Sequence, residues 1–282
     1  MNFKLIKENK GGFIGCLLLL FLIVMTSYTL FLIPSQSRLQ WTNPLYWSDN
    51  PKDASPNWIN YILKPFDQQL PEHKIFHQKD AVQNFIKDTG FKMENNTFSY
   101  QFNFNEFPTA LDVPYTIALG DIPPVIEVYV KRPDNLEFKI YSNSLDSANN
   151  VINSTGSYDS NNYNNTLHHN VINNNSVSGR IFSSSQDVKN SLTDYSGLFN
   201  FSIAALPSEK IIFSKTTSNM PLKGKYEIIF SLSSFDNNTI LKDLKLIMQG
   251  KVFGLLGTDE FRRDVFFGIL IGTPVDLFIG VT

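Results

Sequence analysis

Twenty-three consecutive residues, Gly11 to Ile33, carry no charge, and this run constrains the chain more than any other feature. About 20 apolar residues suffice to cross a hydrocarbon core as a helix, so the run predicts a transmembrane helix over 11–33. A signal-peptide apolar region is shorter, ~7–15 residues, and ends at a small-x-small cleavage site. Here Leu30, Phe31, Leu32 and Ile33 precede Pro34, so the segment reads as a retained anchor. Lys4, Lys7 and Lys10 stand before it. By the positive-inside rule they set residues 1–10 in the cytoplasm and the chain from Pro34 onward outside the cell. Cys16 is the only cysteine, which excludes an internal disulfide framework and a CxxC metal site. It reads as a small apolar membrane residue, with palmitoylation as the alternative.

Residues 34–95 read as an external juxtamembrane segment. Trp41, Tyr46 and Trp47 follow the anchor closely, at the depth where amphipathic aromatics belong. Pro51, Pro56 and the Asp/Asn residues around them favour turns. Apolar residues at 81, 82, 85 and 86, stopped by Gly90, predict one short surface helix over 79–87. His73 and His77 are four apart beside Glu72; on a helix they could share a metal, but Pro71 precedes them and no third ligand is signalled, so they read as solvated histidines.

From about residue 96 the period changes to two. Thr97 to Phe104 alternates aromatic and polar side chains, the pattern of a sheet wet on one face. Val125–Lys131 and Leu136–Tyr141 flank the turn Pro133-Asp134-Asn135 as a hairpin. Further strands are expected at 198–204, 210–214, 225–232 and 241–253. Some seven or eight short strands predict an external antiparallel β-sandwich-like domain over 96–253, interrupted by an Asn/Ser-rich loop at 143–185 too polar to offset its ordering entropy. Six Asn-x-Ser/Thr sequons, at Asn95, Asn153, Asn164, Asn174, Asn200 and Asn237, are candidate glycosylation sites on that exterior side. The middle holds no GxSxG, P-loop or HExxH motif, and His168-His169 lie in the Asn-rich loop; no catalytic residue, metal site or cofactor is predicted, and the β-domain reads as non-enzymatic. A net charge of -2 gives no basic surface for nucleic acid.

The chain ends on a charge-dense turn, Leu256-Gly257-Thr258-Asp259-Glu260-Phe261-Arg262-Arg263-Asp264, followed by an apolar run in which only Asp276 is charged. Taken alone it is a capped helix entry: Thr258 or Asp259 caps, the acids and bases pair among themselves, and the acids near the N-terminus favour the macrodipole. The predicted parts are a loop over 254–264 and the start of a second, truncated transmembrane helix over 265–282.

This stretch resembles the signature that opens the transport domain of dipeptide/oligopeptide-type ABC importer permeases, Leu-Gly-Thr-Asp-(Glu/Asp)-x-Gly-Arg-Asp before an apolar helix. Leu256, Gly257, Thr258, Asp259, Glu260, Arg263 and Asp264 match, as do Val265-Phe266, Gly272, Leu277 and Ile279-Gly280. The order of parts is similar too, and residues 43–58 look like the archaeal branch. The resemblance covers about 1–60 and 250–282 and makes the β-domain an insertion. Arg262 replaces the family glycine, so a tight turn there requires another backbone geometry or a strained one. Pro274 and Asp276 replace small residues; the first bends a helix, and the second needs a partner in lipid. The resemblance implies the N-terminal part of a permease subunit, multi-pass in the cell membrane when complete, with the later helices and the ATPase-engaging loop beyond Thr282. It implies, as partners, a second permease subunit, cytoplasmic ATPases, an extracellular solute-binding protein and the lipid membrane. Gly257, Thr258, Asp259, Glu260, Arg263 and Asp264 are then a structural or interface site. The alternative is a membrane-anchored extracellular β-sandwich for surface binding or adhesion.

Overall fold

A computed structural model describes residues 10–145 and 176–281. In chain order the helices and strands are α1 (Lys10–Leu32), α2 (Ser35–Leu39), α3 (Ile59–Leu63), β1 (Lys74–His77), β2 (Val82–Asp88), β3 (Phe91–Phe102), β4 (Ala110–Ala118), β5 (Val125–Lys131) and β6 (Glu137–Ser144). There follow β7 (Ser176–Phe182), α4 (Gln186–Thr193), α5 (Ser208–Phe213), β8 (Ser214–Lys215), β9 (Ser218–Pro221), β10 (Gly224–Ser234), β11 (Ile240–Gln249) and α6 (Val265–Val281). The chain is thus α+β, with antiparallel sheets and an apolar N-terminal helix whose Gly11–Thr29 stretch is long and apolar enough to cross a membrane. It divides into two compact units, Met1–Ile59 with Val252–Thr282, and Asn60–Lys251.

The second unit holds two main sheets, in the orders β1-β11-β4-β7 and β2-β3-β10-β5-β6, with a small β8-β9 hairpin. Alternation decides what faces inward. Phe98, Tyr100 and Phe102 of β3, Ile126, Val128 and Val130 of β5, and Tyr226, Ile228 and Phe230 of β10 are buried every second residue. They share one core with Leu111, Val113, Tyr115 and Ile117 of β4 and with Leu244, Leu246 and Met248 of β11. Ring pairs cross between the sheets, Tyr115 with Phe230 at 5.8 Å and Phe76 with Phe98 at 6.2 Å.

Several expectations are corrected here. The helix expected over 79–87 is instead a 3-10 turn, Gln78–Asp80, followed by strand β2. Its apolar spacing fits a helix, but Val82, Phe85 and Ile86 favour extended backbone, and the Thr89-Gly90 turn, with Gly90 at φ 80°, folds β2 back onto β3. The β-structure therefore begins at Lys74, not at residue 96. The strand expected at 210–214 is mostly helix α5: Pro207 precedes it, and Ile211, Ile212 and Phe213 pack into the core from a helix. The strand expected at 198–204 is a 3-10 turn and irregular chain, although Phe199 and Ile203 are buried. The loop expected over 143–185 is shorter on both sides. β6 runs to Ser144, β7 begins at Ser176 and pairs with β4, and Ser185 caps α4. The described residues contain eleven strands. Five of them, β1, β2, β4, β7 and β9, have no counterpart among the expected strands.

One buried cation organises this unit. The Arg132 side chain has no exposed surface. It donates to the carbonyls of Ile211 (3.1 Å), Ile212 (2.8 Å) and Ser214 (2.6 Å), and through two nitrogens to Asp134 (3.1 and 2.8 Å). Its guanidinium lies 4.9 Å from the Phe138 ring. A planar five-donor fork suits such a set of carbonyls and one carboxylate, so the end of α5 is tied to the β5–β6 turn.

Candidate functional site: the signature loop and the helix it starts

In the first unit the signature residues fall into one knot. Gly257 has φ 78°, and a Cβ there would lie 2.1 Å from the Ala54 carbonyl oxygen; only glycine permits that approach. Thr258 is 7% exposed. Its hydroxyl donates to the Pro51 carbonyl at 2.8 Å and accepts from the Ala54 N–H at 2.9 Å. Its own N–H donates to the Ala54 carbonyl at 3.0 Å. Phe253 N–H donates to the Ser55 carbonyl, Asn57 N–H to the Gly254 carbonyl, and the Trp58 indole to the Leu255 carbonyl. Residues 51–58 and 253–258 are therefore laced together across some two hundred residues of sequence.

Asp259 builds the next turn. One carboxylate oxygen accepts from the backbone N–H groups of Phe261 and Arg263, both at 2.9 Å. The other accepts from two Arg263 side-chain nitrogens at 2.7 Å. The Arg263 guanidinium then lies 4.5 Å from Trp41 and 4.9 Å from Phe261, a cation over aromatic faces. The charges expected to pair among themselves do so only here. Arg262 turns to backbone instead, donating to the carbonyls of Asn50 (2.8 Å) and Ser48 (3.4 Å), while Asn50 donates to the Arg262 carbonyl at 3.0 Å. Arg262 sits at φ 65°, a left-handed geometry that favours glycine and costs an arginine about 1–2 kcal/mol. Glu260 is exposed.

The cap of α6 is Asp264, not Thr258 or Asp259 as expected. Its carboxylate accepts from the N–H groups of Phe266 (2.8 Å) and Phe267 (3.2 Å), an N-cap that also favours the helix dipole. Trp41 packs onto the first turn. Its ring stacks with Phe267 at 6.4 Å, and a Cβ on Gly268 would meet it at 2.4 Å. Trp47 packs against both rings, 5.8 Å from Trp41 and 5.5 Å from Phe267.

Six residues beyond Gly268, Pro274 lies inside α6. Proline has no N–H, so the Leu270 carbonyl loses its intrahelical donor. Thr29 of α1 supplies one: its hydroxyl lies 2.8 Å from the Leu270 carbonyl and 3.0 Å from that of Met25, so its single proton is shared between the two carbonyls. Thr29 is fully buried, and Leu270 and Thr273 are 5% and 4% exposed. Thr29 is near the C-terminal end of α1 and Leu270 near the N-terminal end of α6, so the helices meet by those two ends.

The knot is thus a latch that fixes where and how α6 begins. Its rim carries apolar side chains, Leu45, Tyr46, Trp58, Leu255 and Phe261 being about half exposed. Sequence reading found Gly257, Thr258, Asp259, Arg263 and Asp264. It missed the packing of Trp41 onto Gly268, the Asn50–Arg262 exchange and the Thr29–Pro274 pairing, for which no local signal exists.

Elsewhere, His73 precedes and His77 ends strand β1. Four residues along extended chain span about 13 Å, which separates the imidazoles too far to share a metal. Among the described residues no group of three His, Cys, Asp or Glu could hold a metal ion. Of the sequons, Asn200 and Asn237 are exposed in loops. Asn95 lies within β3, paired on both sides with Asn84 and Ser231. Asn153, Asn164 and Asn174, like His168 and His169, lie outside the described residues. Cys16 is exposed on α1. One face of the five-stranded sheet carries a polar row, one residue per strand: Asn84, Asn95, Ser231, Glu127 and Ser142. Tyr129, Lys139 and Ser142 all donate to Glu127, at 2.9, 3.3 and 3.3 Å.

No protein-family model matches the chain, and no curated protein matches it. Among solved structures, the enzymatically active domain of tailspike protein 4 of bacteriophage CBA120 is similar at 7% identity and a TM-score of 0.21, covering 66% of this chain and 19% of that one. A structure of the Gx strain of infectious bursal disease virus is similar at 8% identity and a TM-score of 0.23, covering 64% of this chain and 30% of that one. The chain spans less than a third of either. Likeness at that level carries no argument about fold or activity.

Proposed function

We propose that this chain is the N-terminal part of a permease subunit in a binding-protein-dependent ABC importer for peptides or related solutes. One observation supports the reading above the others. The two stretches that carry the family resemblance, about 1–60 and 250–282, are the two stretches that fold together as one unit, Met1–Ile59 with Val252–Thr282. The signature residues inside that unit have the work a signature asks for: Gly257 and Thr258 fix the loop, Asp259 and Arg263 fix the turn, and Asp264 starts the apolar helix. On this reading α1 and α6 lie in lipid with the N-terminus cytoplasmic, and residues 34 to about 264 are extracellular. The half-exposed aromatics of the rim then lie at the membrane surface, where such side chains are favoured. A second permease subunit, cytoplasmic ATPases and an external solute-binding protein complete the machine.

The test is solute uptake by the complete system in its own membranes, over a panel of peptides, with Gly257→Val in this subunit. That variant places a β-branched side chain against the Ala54 carbonyl, so uptake should be abolished while the Asn60–Lys251 unit stays folded by circular dichroism. Undiminished uptake, or purification of the chain with no permease or ATPase partner, rejects the proposal.

A second reading, a membrane-anchored extracellular β-sandwich that binds a surface partner, is favoured by the polar row beside Tyr129. It predicts binding to whole cells or extracted glycans that Glu127→Ala and Tyr129→Ala remove and Gly257→Val leaves alone.

A further inference from the structure

The Asn60–Lys251 unit is joined to the rest of the chain at its two ends, and both ends lie in one patch of it. The Asn60 side chain exchanges hydrogen bonds with the Leu70 backbone at 2.8 and 3.0 Å. The Lys251 N–H donates to the carbonyl of the next residue, Pro71, at 2.8 Å. On the membrane reading proposed above, on which this inference rests, the two covalent links therefore tether the unit to the bilayer by the end that carries residues 60–71. That end projects apolar side chains. Residues 59–66 form α3 and a 3-10 turn, Lys64–Phe66, closed by Asp67 at φ 53°. Tyr61, Ile62 and Phe66 stand out from this turn, 79%, 59% and 69% exposed.

The charges beside the turn decide what meets it. Lys64 belongs to the turn itself. Asp67, which follows Phe66, lies 3.9 Å from the Lys223 ammonium, and its carbonyl accepts from Asn105. Asn105 and Lys223 in turn line a cleft of about 330 Å³ together with Lys215 and the exposed Met220. Three exposed lysines thus stand beside the apolar turn, and the acid next to them, Asp67, is paired with Lys223. Apolar tips that project, rather than line a groove, suit a partner that yields to their shape. The boundary between lipid headgroups and acyl chains is such a partner: it takes up aromatic and aliphatic tips, while anionic headgroups attract the lysines alongside. The long lysine stems let each ammonium stay at headgroup level above a buried apolar neighbour.

We propose that the Tyr61–Phe66 turn is a membrane-docking site of the β-unit. Tyr61, Ile62 and Phe66 enter the headgroup–acyl boundary, and Lys64, Lys215 and Lys223 bind the headgroups of anionic phospholipids. The unit then rests on the bilayer by this end instead of standing free on its two links.

The experiment uses the full chain in nanodiscs of phosphatidylcholine and phosphatidylglycerol in equal parts. In a Cys16→Ser background, Ile62→Cys, Phe66→Cys, Phe235→Cys or Leu20→Cys carries a bimane, quenched by brominated acyl chains or by aqueous iodide. Phe235 is the control: it too is exposed and apolar, but it lies beyond the far end of β10 from Lys223, about 40 Å away along the strand. Bromolipid should quench the label at 62 and 66 about threefold more than at 235, and iodide about threefold less. Omitting phosphatidylglycerol, or combining Lys64→Gln, Lys215→Gln and Lys223→Gln, should lower the bromolipid quenching at 66 about twofold or more. Labels at 62 and 66 that iodide reaches as readily as at 235 overturn the inference. So do labels shielded from both quenchers, which report a protein on the turn, and lipid quenching indifferent to phosphatidylglycerol and to the lysine variants. The label at 20 in α1 separates the two readings. If bromolipid misses it, the membrane reading falls and the inference with it; if bromolipid quenches it but not 66, the inference alone falls. Quenching at 66 in a chain that purifies without permease or ATPase partners leaves the inference standing and removes the permease reading.

Discussion

Thr258→Val keeps the shape of a nearly buried side chain and removes only its hydroxyl. That hydroxyl serves two backbone groups, the Ala54 N–H at 2.9 Å and the Pro51 carbonyl at 2.8 Å. A buried polar group left without a partner costs about 1–3 kcal/mol. With some relaxation, the pair should cost about 2–4 kcal/mol in the closing of residues 51–54 onto the loop. At ~1.4 kcal/mol per factor of ten, the Ala54 amide should exchange with solvent roughly 30- to 700-fold faster than in the parent. Thr258→Ser retains the hydroxyl and should stay within about threefold of the parent, given the small loss of a methyl group. The assay is hydrogen exchange of detergent-solubilised chain read by mass spectrometry on peptides covering 51–58, where local opening registers without a global two-state transition. The reasoning is refuted if Ala54 exchanges at the parent rate in Thr258→Val, or if the serine variant opens as far as the valine one.

Four other outcomes are expected. Arg262→Gly relieves a left-handed arginine by ~1 kcal/mol but loses charge-assisted bonds worth ~1.5–3 kcal/mol, so loop protection should rank parent, then Gly, then Ala; an alanine variant as protected as the glycine one contradicts this. Thr29→Val should weaken the α1–α6 contact by about 1 kcal/mol but cost almost nothing in a Pro274→Ala background, where the Leu270 carbonyl regains a helical donor; denaturant titration of the four variants shows the coupling, and additivity refutes it. Arg132→Met strands three carbonyls and the Asp134 carboxylate, at about 3–5 kcal/mol, lowering the melting temperature of its unit by roughly 10 °C. Burial pushes the Asp134 carboxyl up, and the Arg132 hydrogen bonds and charge outweigh it and hold it below the usual range. A lowered folded-state value adds stability above the unfolded value of about 3.9 that is lost as pH falls through the folded one, so the variant should show a shallower loss of stability below about pH 4. Expressed in a glycosylating membrane system, Asn200→Gln and Asn237→Gln should each remove one glycan by intact mass. Asn95→Gln should remove none, because Asn95 lies within a strand paired on both sides.

Some elements were legible because their cause is local. An uncharged run of sufficient length makes α1 whatever surrounds it, and the expected span 11–33 differs from Lys10–Leu32 by one residue at each end. β5 occupies the expected 125–131 because Val-Ile-Glu-Val-Tyr-Val-Lys alternates cleanly and a turn follows it. The signature residues were found as a motif, and with them the start of α6 at Val265. β2 was misread because four apolar residues at helical spacing cannot report that β3 waits across a two-residue turn. α5 was misread because five residues hold either period, and it is Arg132 that receives the carbonyls at the end of the helix.

Sequence by itself therefore determined the two apolar helices, the alternating strands and the position of the charge-dense turn before the second helix. Each rests on charge, period or turn chemistry within a few neighbouring residues. Only the tertiary structure decided what those parts are for one another. The Thr29 hydroxyl serves a carbonyl freed by Pro274 from 241 residues away, Thr258 holds Ala54 at a separation of 204, and Asn50 holds the left-handed Arg262 from 212 residues away. Such pairings depend on where buried donors and acceptors finally meet. A polar group closed off from water has to find a partner wherever in the chain that partner lies.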